Sequence, residues 1–151
     1  MRFAGIFLKK FPRCLLLFLV LSFAAPAWAE ELKVEARLIW GTNDDKSPDP
    51  SHKPVDKDLS TRLRNVFKWK NYFEVNRVNS TIPSRGTKKL EMSKACTVEI
   101  TELAGPKVEV KLMGKGKMVN RTVEALSRGN CFTIGGPDKN ETAWFVVVTQ
   151  L

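Results

Sequence analysis

Histidine is nearly absent from this chain, and its scarcity removes whole classes of chemistry. The one imidazole, His52, sits between Ser51 and Lys53 in a proline-rich stretch, so an ordinary serine triad has no base on a rigid frame. No Gly-x-Ser-x-Gly elbow occurs either. Histidine-based metal sites lack ligands, and Asp44, Asp45 and Asp49 miss the spacing of a calcium loop. No catalytic residue, metal ligand or cofactor is therefore assigned.

Cysteine is also sparse, with three in the chain. Cys14 follows Phe11-Pro12-Arg13, which lacks the pattern of a lipid-attachment site. Cys96 and Cys131 remain, and two readings stay open for them. A bond between them would stabilise by about 3 to 4 kcal/mol through loop closure. Against it, Cys96 alternates with Val98 and Ile100, whereas Cys131 is out of phase with Phe132 and Ile134, which favours two separate thiols.

Long apolar runs are missing after the first 29 residues, and acidic residues are missing within them. Arg2, Lys9, Lys10 and Arg13 precede an apolar stretch from Leu15 to Ala25, and Ala27-Trp28-Ala29 offers a small-residue cleavage pattern. That stretch is shorter than the roughly 20 residues a spanning helix needs. The expectation is a secretory signal peptide over 1–29, cut after Ala29, and a periplasmic or secreted domain over 30–151. No membrane span is expected in that mature chain, and nucleic acid is a poor match for such a compartment.

What is present is basic charge, unevenly spread. Residues 30–151 keep +5 of the formal +9, because four of the 25 basic residues lie in the export segment. Lys57 to Lys89 carries nine basic residues against Asp58 and Glu74, which suits an envelope protein or an acidic envelope polymer as partner.

The hydrophobic pattern is mostly of period two. Leu32, Val34, Ala36 and Leu38 alternate with charged residues, as do Val108, Val110 and Leu112. Gly105-Pro106 and Gly114-Lys115-Gly116 mark hairpin turns. After a turn at Ser127 to Asn130, Cys131 to Ile134 is expected to pair back on the preceding strand. The run Ala143 to Val148 is apolar on both sides and reads as an interior strand covered on both faces. Gly41 to Pro54, with three prolines, reads as an exposed loop.

One helix is expected, over about 56–68. Asp56 suits its N-cap, and Leu59, Leu63, Val66 and Phe67 form its apolar stripe. The fold class is thus α+β and mostly β: an antiparallel sandwich or coiled sheet of about seven strands with one packed helix.

On the helix's outer face, Lys57, Thr61, Arg64 and Lys68 fall in one row. Lys68, Trp69, Lys70 and Tyr72 then interleave cations with aromatics. The candidate binding residues are therefore Lys57, Arg64, Lys68, Trp69, Lys70 and Tyr72, able to stack on sugar rings or clamp an acidic partner. The leading reading is a non-enzymatic binding or accessory module using this basic helix face together with loop 41–54. Two others stand beside it: a hydrolase of envelope glycans with a pair drawn from Glu99, Glu102, Glu109 and Glu124, and a small-ligand carrier with a cavity between sheet and helix. The stretch Gly129 to Gly136, ending Ile-Gly-Gly, resembles the short glycine-flanked strand of outer-membrane secretin channels. This likeness spans eight residues, implies a β-hairpin and no activity, and Gly135-Gly136 is expected to form a positive-φ turn.

Overall fold

The computed structural model describes residues 31–137 and 142–151; the expected signal peptide and its cleavage after Ala29 lie outside the described residues. The strands are β1 (Leu32–Thr42), β2 (Lys53–Pro54), β3 (Asn71–Ile82), β4 (Thr87–Glu91), β5 (Cys96–Glu102), β6 (Lys107–Gly114), β7 (Lys117–Ala125), β8 (Cys131–Pro137) and β9 (Ala143–Gln150). The helix α1 spans Lys57–Val66. Two antiparallel sheets result, ordered β2-β3-β1-β9-β8 and β4-β5-β6-β7.

Alternation explains the layering. On β1, Val34, Ala36 and Leu38 face the second sheet, while Ile39 faces the helix. On β9, Val146 and Val148 join the core between the sheets, and Ala143, Phe145 and Val147 join the core under α1. The first sheet is thus covered on one face by sheet and on the other by helix, as its two-sided apolar strands require.

Several local features differ from the sequence reading. The loop expected over 41–54 contains a short strand, since Lys53 and Pro54 pair with Glu74 and Phe73. Cys131 to Ile134 does not pair back on β7: β8 extends to Pro137 and pairs with β9, with Ile134 opposite Val146. Gly129, at φ +79, turns the chain from one sheet to the other. Gly135 and Gly136 lie inside β8 rather than in a positive-φ turn. The β6–β7 connection is the expected tight hairpin, with Lys115 at φ +49 and Gly116 at φ +76, the backbone of a type I′ turn.

A bulge in β3 sets the chemistry of the helix-facing surface. Leu38 is opposite Asn76 and Ile39 is opposite Glu74, so Val75 is the extra residue. This insertion flips Glu74 onto the same face as Arg37. Asn76 turns to the other face and donates its amide to the Met92 carbonyl at 2.9 Å.

Candidate functional site

The site begins at the helix. The Asp56 carboxylate accepts the Leu59 amide at 3.0 Å and so caps α1. Its carboxyl is held below the usual range first by that bond, with the Arg37 guanidinium adding to it against the cost of burial. Leu59 and Leu63 anchor the helix on Ile39, Tyr72, Phe145 and Val147. Lys57 and Arg64, seven residues apart, share the exposed side.

The helix ends at Val66, two residues before the expected 68, because Phe67 turns extended with φ −120° and ψ 157°. An extended chain has period two, so Phe67 and Trp69 point to the core while Lys68 and Lys70 point out. Phe67 and Trp69 lie 4.3 Å and 5.4 Å from the Phe145 ring. Lys68 Nζ stands 5.5 Å from the Trp69 ring centre. Arg64 Nε donates to the Lys70 carbonyl at 3.0 Å, which draws a third cation to the same junction. Arg64, Lys68 and Lys70 are therefore gathered by backbone geometry, not by one helical row.

Tyr72 is placed differently. It is 3% exposed in the core under α1, and its hydroxyl donates to the Leu63 carbonyl at 3.3 Å. Burial pushes its phenol above the usual value. The surface combination thus loses Tyr72, and the helix gains an anchor.

The loop and the basic junction do meet. Lys70 donates its amide to Asn43 Oδ1 at 3.2 Å, and Asn71 Nδ2 donates to the Asp44 carbonyl at 2.8 Å. Beside them runs an open groove of about 520 Å³, with Phe67, Trp69 and Phe145 on one side and Asn120, Arg121 and Thr122 on the other. No family model, no curated protein and no solved structure matches this chain. The site must be read from its own geometry. Arg121 was not legible as a groove residue, because only the approach of β7 to β8 brings it and Trp69 into the lining of one groove. Asn120 Nδ2 marks that approach, donating to the Gly135 carbonyl at 3.1 Å.

The carboxylates considered for glycan hydrolysis have other partners. Lys111 Nζ lies 3.1 Å from Glu99 and 3.5 Å from Glu109 on the outer face of the second sheet. Arg121 also pairs with Glu109; its hydrogen bond, aided by the charges of Arg121 and Lys111, holds the Glu109 carboxyl low against desolvation. Glu102 accepts the Arg85 amide at 2.8 Å, and Glu124 accepts the Thr122 hydroxyl at 2.7 Å.

Cys96 and Cys131 are both free. Cys96 packs against the core between the sheets, where burial pushes its thiol up to about 11. Cys131 packs against the core under α1, 3.7 Å from an Arg62 guanidinium nitrogen. The first sheet lies between them. Adding a reductant is accordingly expected to leave Tm unchanged, whereas breaking a bond worth about 3 kcal/mol would lower it by about 10 °C.

Proposed function

We propose that the mature chain is a non-enzymatic binding module of the cell envelope that takes an acidic polymer on its helix–β3 junction. The observation that carries this reading is the gathering of exposed Arg64, Lys68 and Lys70 around Trp69, at the end of an open groove. Three cations on one junction raise the local concentration of an anionic chain, and an open groove admits an extended one. Trp69 and Phe67 offer apolar edges for sugar rings between the charges. Asn43 and Asp44 of the loop border the same junction. Lys57 extends the positive surface along α1.

The test is retention of the exported protein on an immobilised anionic polysaccharide in a salt gradient. Paired substitution Arg64→Glu and Lys68→Glu is expected to weaken binding at least tenfold and to flatten its salt dependence. Stability should shift by no more than about 0.5 kcal/mol, because both side chains are exposed. Unchanged retention would discard the site. Loss of capture of one envelope protein, with polysaccharide retention intact, would move the same surface to a protein partner.

A further inference from the structure

The two sheets do not close at one end. A cavity of about 470 Å³ opens there, in the range of small-molecule sites, roughly 300 to 1,000 Å³. Its walls are apolar side chains from both sheets: Leu38, Trp144 and Val146 from the first, Leu112, Met113 and Val119 from the second. Cys96 adds an uncharged wall, since its desolvated thiol stays protonated. Val119 forms one side only because its neighbours are glycines. A Cβ at Gly114 would stand 2.8 Å from one Val119 methyl, and a Cβ at Gly136 would stand 2.6 Å from the other.

The rim carries one cation, Lys115. Lys115 donates its amide to the Ala95 carbonyl at 2.7 Å, tying the β6–β7 turn to the β4–β5 turn. This bond holds Lys115 at the edge of the opening beside Ala95, and no carboxylate is among the described residues lining it. An apolar interior with a positive rim matches one chemical class: a single alkyl chain ending in an anionic group.

We propose that this cleft binds the alkyl chain of a fatty-acid-like amphiphile, with its carboxylate at the Lys115 rim. The reading is independent of the helix–β3 junction, which lies outside the cavity lining. Burying an alkyl chain there would stabilise by about 0.8 kcal/mol per methylene removed from water, and the rim charge sets the direction of entry.

The experiment is calorimetric titration of the exported protein with decanoate, below its micellar concentration, and with uncharged decyl glucoside. Saturable one-to-one binding of decanoate is expected, with the glucoside at least several-fold weaker. Ala95→Trp, a change at an exposed rim position, should weaken decanoate at least tenfold by obstructing the mouth. Lys115→Gly, at a left-handed position glycine adopts without strain, should weaken decanoate several-fold and leave the glucoside unchanged. The paired Arg64→Glu and Lys68→Glu change should leave decanoate binding intact, which separates this site from the polymer site. Absence of saturable binding, or binding indifferent to Ala95→Trp, would overturn the proposal. So would a mouth already covered by a second copy or by the chain's own N-terminal residues, seen as decanoate binding that appears only on dilution or after their removal.

Discussion

Arg37→Ala is expected to destabilise the protein by about 3 kcal/mol, a loss of about 10 °C in Tm. Arg37 projects from β1, second from neither edge of its sheet, into the layer under α1. Its side chain is 11% exposed. One guanidinium nitrogen reaches Asp56 at 2.9 Å, while another and Nε reach Glu74, each at 2.7 Å. Two elements therefore depend on one cation: the cap of α1 and the bulged part of β3. Removing it leaves Glu74, 16% exposed, with only the more exposed Arg77 as a strong partner. A half-buried carboxylate that loses its better-buried partner is poorly compensated for its desolvation, which is why the expected effect exceeds that of a surface pair. Arg77→Ala, at a side chain 47% exposed, should cost below about 1 kcal/mol.

The pH dependence gives a second check. Burial alone would raise the Glu74 carboxyl, but hydrogen bonds from Arg77 and Arg37 outweigh it, so its value lies below the ordinary 4.5. Asp56 is likewise held below its ordinary 3.8. A carboxylate lowered on folding adds stability that is fully present above its unfolded pKa and is lost as pH falls through the folded one. Wild-type stability should thus fall below about pH 4, and the gap between wild type and Arg37→Ala should narrow from about pH 6 to pH 3. Urea unfolding at several pH values measures both. A constant gap, or a cost under about 1 kcal/mol, would remove Arg37 from this role.

Arg37 also marks the limit of what was readable from the residues. The alternation of β1 is plain, and the two-sided apolar run of β9 correctly implied cover on both faces, so the sandwich and its packed helix were legible. The bulge at Val75 was not, since a one-residue insertion leaves no compositional mark yet reverses every later side chain. Tyr72, which precedes the bulge, was missed for another reason. In a continuous alternation it reads as a surface partner of Lys70; paired opposite Gly41 and covered by the helix, it lies in the core under α1. The basic row was likewise half legible, because helical phase placed Lys57 and Arg64 while the extended Phe67 to Lys70 segment placed Lys68 and Lys70. Contacts between distant strands carried the rest: the groove that Arg121 and Trp69 both line, and the cleft between the sheets, both arise where β7 nears β8.

Gly135 and Gly136 show how one residue type can answer two demands, conformational freedom or space. Here the demand is space, and substitution should separate the two glycines sharply. A Cβ on Gly135 would stand 2.7 Å from the Trp144 carbonyl oxygen and 2.7 Å from Phe145 Cδ1. Neither can yield cheaply. The carbonyl belongs to the backbone of β9, and the Phe145 ring is gripped from its other edge, where a Cβ on Gly41 would be 3.0 Å from Cε2. Phe67, Trp69 and Tyr72 surround the same ring. Gly135→Ala is expected to cost about 2 kcal/mol and Gly135→Val about 4 kcal/mol, read by urea unfolding. Gly136→Ala should cost less than about 1 kcal/mol, since its one close neighbour is a methyl of the half-exposed Val119, free to change rotamer. The Gly135 variants should also disturb the polymer site through the Phe145–Trp69 contact, and the Gly136 variant the cleft through Val119. Equal costs at the two positions, or a Gly135→Ala cost under about 0.5 kcal/mol, would show that β8 shifts to make room and that the ring is not held between the two glycines.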